Sequence, residues 1–221
     1  MLISHPYQFI FIKTVKTAGT SIEGFLEPYC TPPGHVVQHH TPTLISPYGV
    51  VARRGIAHNQ LDEGYNNHMS ATEVQKRCNF FDKYKRLTVV RNPYDKLVSY
   101  FHFRAVQTDG RIGLGLSEAS ALFAAGEEGV LQRLFLSFLQ QESLPLEQPR
   151  LCLQGKLAVQ RWLRFENLLS DLEELVADWQ LPLQAATVAE QLPNFKRLRN
   201  HENHTPPLDA YLSAAAIELI N

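Results

Sequence analysis

The hydrophobic pattern of this chain changes period near its start, from strand-like to helix-like. The apolar run at 9–12 consists of β-branched and aromatic residues and predicts a β-strand. A polar stretch with lysines, threonines and one glycine follows. Apolar residues then return at helical spacing, which predicts a helix over about 20–27. The chain therefore opens with a strand, a polar loop and a helix.

The same arrangement recurs at 87–101. An apolar strand is followed by a polar turn, and Pro93 suits the first position of the next helix, where a missing N–H does no harm. Arg91 stands at the carboxyl end of this strand. Ligands of open α/β sheets bind at that edge. Two basic strand-to-helix corners therefore indicate an α/β fold whose ligand carries two separated anionic groups.

The rest of the chain reads as further helices and strands separated by a long loop. Ser70 and Glu73 form a capping-box pattern at the start of a helix over 71–77. The region 28–64 is rich in proline, glycine and histidine and predicts a long loop with one short strand around 49–51, a candidate acceptor-binding lid. Three further elements are predicted: a helical region over 117–139 capped by Ser117, a strand over 158–165 and a helix over 168–179.

The first polar loop has the chemistry of an anion site. Lys16 supplies a positive charge, Gly19 permits close approach of the backbone, and Thr17, Thr20 and Ser21 carry hydroxyl groups. The N-terminus of the following helix adds free N–H groups and the positive end of its dipole. From this loop alone, an ordinary strand-to-helix turn with surface lysines is the alternative.

Composition limits the class of protein. With 221 residues, 44% of them hydrophobic, the chain suits one domain. A formal charge of −1 excludes a globally basic nucleic-acid binder and leaves room for a local positive patch at Lys13, Lys16 and Arg91. The three cysteines are widely spaced and form no CxxC motif, so neither a disulfide framework nor a zinc ribbon is indicated, and a reducing cytoplasm fits best.

No membrane insertion is expected. No run approaches the roughly 20 apolar residues of a membrane helix, and no signal-peptide pattern opens the chain. A bacterial-type cytoplasmic enzyme, or an excised lumenal catalytic domain, is favoured over a full-length secretory-pathway enzyme, and the cytoplasmic enzyme is the preferred interpretation.

The motifs KTAGTS at 16–21 and RNPYDKLVSYF at 91–101 resemble the two cofactor-binding elements of sulfotransferases that use 3′-phosphoadenosine 5′-phosphosulfate (PAPS). The carbohydrate-type branch, with the heparan sulfate and chondroitin sulfotransferases and bacterial relatives, is the more similar one. Segments at 67–71, 84–87, 163–168 and 201–205 look like further landmarks of this family. The family usually continues past a tail such as 208–221, so this C-terminus looks short.

The resemblance implies a P-loop-like three-layer sandwich with a central, mostly parallel β-sheet flanked by helices. It implies a single sulfotransferase-like domain over 1–221, with a variable acceptor-side loop at about 30–65 and a helical insertion at about 107–157. The resemblance further implies that Lys16 contacts the bridging oxygen or the 5′-phosphate. By the same resemblance Arg91 and Ser99 are expected to bind the 3′-phosphate, no metal is required, and the phosphosulfate is expected to bind Thr17, Ala18, Gly19, Thr20 and Ser21.

The general base is expected to be a histidine, whose pKa suits proton transfer near neutrality. The resemblance points to His68, with His58 as runner-up. Each also fits a structural, hydrogen-bonded histidine, and some family members use glutamate. His35, His39 and His40 invite a zinc site, but nearby prolines and the lack of cysteine or acidic ligands favour exposed loop histidines.

The predicted function is in-line transfer of a sulfuryl group from PAPS to a hydroxyl acceptor, either a carbohydrate or a small metabolite. A P-loop nucleotide kinase or nucleotidase and a non-catalytic nucleotide-binding module are the alternatives. The chain lacks GxxxxGK[ST], and the strand before Asn92 ends in Arg91 rather than in an aspartate that would hold magnesium in a P-loop nucleotidase.

Overall fold

A six-stranded sheet forms the centre of the computed structural model, which describes residues 1–54, 64–183, 185–193 and 205–221. Its strands lie in the order β3-β4-β1-β2-β5-β8, and a separate two-stranded sheet pairs β6 with β7. The strands are β1 Leu2–Ser4, β2 Phe9–Phe11, β3 Leu44–Ser46, β4 Gly49–Val51, β5 Lys85–Val90, β6 Cys152–Leu153, β7 Lys156–Leu157 and β8 Arg161–Arg164.

The central sheet is mixed. β2, β5 and β8 run parallel to one another, whereas β1, β3 and β4 pair antiparallel with their neighbours. The carboxyl ends of β2 and β5 therefore meet at one edge, with Phe11 opposite Leu87. The predicted α/β class, a central sheet flanked by helices consistent with a P-loop-like sulfotransferase fold, is confirmed.

The helices begin and end close to the positions that the sequence predicts. Asn92 caps α3, with Pro93 in its first turn, and the helix predicted over 168–179 has these same bounds. The helices are α1 Gly19–Leu26, α2 Ala71–Arg77, α3 Pro93–Gln107, α4 Leu116–Ala124, α5 Glu128–Gln141, α6 Gln148–Leu151, α7 Leu168–Trp179, α8 Val188–Gln191 and α9 Ala214–Ile220, with 3₁₀ turns at Glu27–Tyr29, Phe165–Asn167 and Leu208–Tyr211. Within the described ranges, none of these helices has the length and apolar character needed to cross a membrane.

Two compact units divide the chain, and the first holds the described residues of 1–90 and 146–196. Alternate residues of its strands point to opposite faces of the sheet. On one face they pack against α1 and α7, and on the other against α2 and α6, which makes three layers. The hydrophobic cluster on the face of α1 and α7 includes Phe9, Phe11, Leu87, Ile22, Phe25 and Leu172. The cluster on the face of α2 and α6 includes Ile3, Ile10, Ile12, Ala71, Val74 and Leu151.

The second unit holds the described residues of 91–145 and 197–221 and is helical. Its core joins α3, α5 and the C-terminal helices around Phe101, Phe135 and Tyr211. His102 is buried there: Nδ1 donates to the carbonyl oxygen of Leu114 at 2.7 Å, and Nε2 accepts from the Tyr211 hydroxyl at 2.9 Å. The single-domain organisation stays a prediction.

Two local predictions need correction. The region 28–64 contains the β3–β4 hairpin, so only its second strand was foreseen. Ser117 does not cap the helical region: α4 begins after Gly115, whose N–H donates to the Glu118 carboxylate at 2.9 Å. An extended backbone at Gly115 and a glutamate three residues later make this cap without a hydroxyl.

Candidate functional site

The loop between β2 and α1 contains two non-glycine residues in the left-handed conformation. The φ angle is 61° at Lys16 and 57° at Ala18. For L-residues this conformation costs roughly 1–2 kcal/mol each, and it persists where the surroundings impose it. The Ala18 carbonyl accepts the N–H groups of Ser21 at 2.9 Å and Ile22 at 3.2 Å. The N–H groups of Gly19 and Thr20 therefore precede the first hydrogen bond of α1, at the positive end of its dipole.

A hydrogen bond from Thr14 connects this loop to the end of β5. The Thr14 hydroxyl donates to the Val89 carbonyl oxygen at 2.6 Å and lies 2.8 Å from the hydroxyl of Thr17. Since the Thr14 proton is directed to Val89, the Thr17 hydroxyl donates to Thr14. Both threonines are buried. The Thr17 side chain thus supports the loop from within.

Lys13 lies beneath the loop and does not contribute to an open positive patch. Its ammonium nitrogen is 2.6 Å from Oε2 of Glu23, and 3.2 Å from both Oδ1 of Asn67 and Oγ1 of Thr20. Glu23 is fully buried. A Cβ at position 19 would lie 2.7 Å from Cγ of Lys13. Gly19 is therefore needed for the lysine stem to pass, a requirement that the sequence did not reveal.

The partly exposed residues of the loop are the remaining members of the predicted anion site. Lys16, Ala18, Thr20 and Ser21 are half-buried, whereas Thr17 and Gly19 are buried. One short segment at the carboxyl edge of the parallel strands thus brings together a lysine, two hydroxyl-bearing side chains and the start of a helix.

His68 lies just before α2. Ser70 and Glu73 form the predicted capping box, in which each side chain binds the other's backbone N–H. The ring nitrogen Nδ1 of His68 is 3.4 Å from the backbone carbonyl oxygen of Lys13. A carbonyl oxygen only accepts hydrogen bonds, so Nδ1 carries the proton in the neutral ring and Nε2 carries the lone pair.

The surroundings of His68 keep its ring neutral. Burial is the largest cause, followed by the positive charges of Lys13, the Met1 amino group and Arg150, while Glu23 acts in the opposite sense. Together they lower the pKa of His68 from 6.5 to about 3. At neutral pH the imidazole is therefore a proton acceptor rather than a cation.

Arg91 directly follows β5 in the chain and pairs with an acid of its own segment. Its Nε and Nη2 atoms lie 2.6 Å and 2.5 Å from Oδ2 of Asp95, in the first turn of α3. Ser99 is buried farther along the same helix. A phosphate bound by Arg91 would share the guanidinium with Asp95, which the sequence did not foresee.

The described part of the candidate lid is anchored by buried charges. Nη2 of Arg54 lies 2.7 Å from Oε2 of Glu27, and Nε of Arg54 donates to the His39 carbonyl oxygen at 3.1 Å. His35 lies 2.9 Å from the other oxygen of Glu27. Among the residues described, no three metal-binding side chains cluster, at these histidines or elsewhere.

Some predicted residues cannot be placed, and one contact was missed. His58 lies outside the described residues, and so do positions 201–204 of the predicted family segment at 201–205. Conversely, the guanidinium of Arg150 donates to the backbone carbonyl oxygen of His68. No sequence pattern marks this arginine, because the contact depends on how α6 packs beside α2.

The model of the sulfotransferase family matches residues 1–206 of the chain. The match spans the loop at 13–21, His68 and the Arg91 motif, and it ends before α9. No curated protein and no solved structure compared with the chain matches it.

Proposed function

Because the chain belongs to the sulfotransferase family, whose members transfer sulfuryl groups, we propose that its donor is PAPS and that its acceptor is a hydroxyl group. The acceptor is a carbohydrate or a small metabolite, and the acceptor-side loop at 30–65 selects it. We place the reaction in the cytoplasm.

The observation that carries this proposal is the left-handed pair Lys16 and Ala18 at the start of α1. Left-handed residues in a turn direct successive N–H groups toward one point, an arrangement that binds anions. The α1 dipole favours the same charge. We assign the phosphosulfate to the backbone of 16–21, with the Thr20 and Ser21 hydroxyls as further donors and Thr17 as internal support.

In the proposed reaction, the acceptor oxygen attacks sulfur in line with the leaving phosphate. His68 Nε2 takes the hydroxyl proton as the new S–O bond forms. The bond between sulfur and the bridging oxygen breaks, and its electron pair leaves with adenosine 3′,5′-bisphosphate. Lys16 and the loop N–H groups stabilise the charge that develops on the bridging oxygen.

The electrostatics of His68 support its role as the base. A pKa of about 3 keeps the ring neutral and able to accept a proton, although it makes the ring a weak base. A bound donor adds negative charge, and nearby negative charge raises the pKa of a histidine. The base would therefore gain strength when the donor is in place.

For the 3′-phosphate we propose Arg91 and Ser99, as the family resemblance implies. An arginine fork suits a phosphate because its N–H groups match two oxygens at once. This contact would distinguish PAPS from ATP, which has no 3′-phosphate.

The test is ligand stabilisation followed by transfer. Adenosine 3′,5′-bisphosphate without magnesium should raise the melting temperature, since ligand at a hundredfold its dissociation constant adds about 2.7 kcal/mol. Lys16→Ala should lose most of that shift. Labelled PAPS should then label a hydroxyl compound in a panel of carbohydrates and metabolites.

Three outcomes contradict the proposal in different ways. Stabilisation by ATP only with magnesium indicates a nucleotide kinase. Stabilisation by the bisphosphate without label transfer indicates a binding module. If millimolar bisphosphate does not stabilise the folded protein, PAPS is not its donor.

A further inference from the structure

Arg150 holds the peptide group of His68. Its Nη1 donates to the His68 carbonyl oxygen, and Arg150 itself is half-buried on α6. The next residue, Leu151, is buried in the same cluster as Ala71 and Val74 of α2. The arginine is therefore fixed relative to the helix that His68 precedes.

His68 thus has two anchors at opposite ends of the residue. Its ring is directed by the Lys13 carbonyl oxygen, and its backbone is held by Arg150. Hydrogen bonds from a charged donor are stronger than those between neutral groups. At 3.4 Å the ring contact is the longer of the two, so its geometry depends on a fixed backbone.

We propose that Arg150 is a positioning residue of sulfuryl transfer, which holds the His68 backbone so that Nδ1 stays on Lys13 and Nε2 faces the acceptor. This inference rests on the proposed function, because it takes His68 as the base. The orientation of the His68 ring is measurable without any acceptor.

The charges around the ring are compatible with this role. Lys13, the Met1 amino group and Arg150 disfavour the imidazolium form, and Glu23 favours it. Arg150 also acts on Glu73, whose pKa is lowered mainly by its hydrogen bonds with Ser70. Loss of the arginine charge should therefore make His68 easier to protonate.

The experiment compares Arg150→Met, Arg150→Lys and a control, Arg161→Met. Within the described ranges, the Arg161 side chain pairs with two carboxylates of α7, Glu174 at 3.2 Å and Asp178 at 3.3 Å. Nitrogen-15 NMR at pH 7 reports which ring nitrogen carries the proton. The His68 signals are assigned as those that are absent from the spectrum of the His68→Gln variant. Melting temperatures establish that each variant is folded.

In the wild type and in Arg161→Met we expect the single Nδ1–H tautomer. Arg150→Met should populate both tautomers and titrate at higher pH, and Arg150→Lys should restore the wild-type signature in part. With an acceptor in hand, Arg150→Met should lose roughly 10- to 100-fold in kcat while donor affinity is kept.

A folded Arg150→Met with the wild-type tautomer overturns the positioning role, whatever its turnover. If the tautomers mix and turnover is unchanged, the contact exists but does not serve the reaction, which also overturns the proposal. Failure of the base assignment is separate: it shows as near-normal turnover in His68→Gln.

Discussion

The ammonium nitrogen of Lys13 lies 2.6 Å from Oε2 of Glu23, with both side chains buried beneath the loop at 13–18. Lys16, three residues later, is half-buried in the left-handed conformation. Two lysines three positions apart therefore have different roles: Lys13 supports the loop, and Lys16 is the proposed ligand of the donor.

We expect Lys13→Met to lower the free energy of unfolding by about 3 kcal/mol, because it removes a charge partner from the buried Glu23. Lys16→Met should change it by less than about 0.5 kcal/mol and weaken binding of the bisphosphate instead. Urea denaturation measures both. Equal destabilisation by the two single variants would refute this division.

The pH dependence of stability should report the buried His68. Its folded pKa of about 3 lies below the ordinary 6.5, so between these values the unfolded chain binds a proton that the folded chain does not. The contribution of the neutral His68 to the free energy of unfolding is therefore fully present above about pH 6.5. It decreases as the pH drops below that value, by at most about 1.4 kcal/mol per pH unit. His68→Gln should lack this part of the slope in denaturation series from pH 7 to 4. Parallel curves for the two proteins would exclude a strongly lowered pKa.

Turnover should separate the two candidate bases. A general base contributes typically 10²- to 10⁴-fold to the rate, so His68→Ala should lose about that factor while its bisphosphate affinity stays near the wild-type value. His58→Ala should lose less. Initial rates and calorimetric affinities decide between them, and a large loss confined to His58→Ala would transfer the role.

Selectivity for the 3′-phosphate should depend on Arg91. Arg91→Ala should weaken PAPS binding by about 1.5–3 kcal/mol and leave adenosine 5′-phosphosulfate, which lacks that phosphate, nearly as good a ligand. Arg104→Ala is the control, since Arg104 lies on α3, the helix that follows Arg91, and also pairs with an acid, Glu142, at 3.2 Å. If Arg91→Ala keeps the wild-type preference, another residue reads the 3′-phosphate.

The helix cap beside His68 should matter for stability. Ser70→Ala removes both hydroxyl contacts of the capping box and should cost about 1 kcal/mol in unfolding experiments. Ser213→Ala removes the corresponding cap of α9, whose hydroxyl accepts the Ala216 N–H at 3.2 Å. We expect similar costs from both, with reduced turnover only in Ser70→Ala. Reduced turnover in both variants would point to a general effect of lower stability.

The sequence predicted what local patterns can encode. The strand and helix around the first motif, the Ser70–Glu73 box and α7 all follow from short-range periodicity and capping. The three-residue strand β1 was missed. The family motifs predicted Lys16 and Arg91 as site residues, whereas the buried pairing of Lys13 with Glu23 was not predicted.

Contacts made by distant segments explain those gaps. Lys13 looks like any surface lysine until α1 brings Glu23 to it. Arg54 and Arg150 acquire roles only through folded partners, the buried Glu27 and the His68 carbonyl group. A buried charge pair between distant segments carries no repeating pattern that a reader of sequence can detect.

The hydrogen bond from Thr14 to Val89 joins residues 75 positions apart in the chain. The β1–β2 hairpin is local, whereas β2 meets its parallel neighbour β5 only after that long segment has closed, and closure of long loops slows folding. We therefore expect the loop between β2 and α1 to be among the last parts of the first unit to form. During refolding, recovery of nucleotide binding would then mark completion of the parallel half of the sheet.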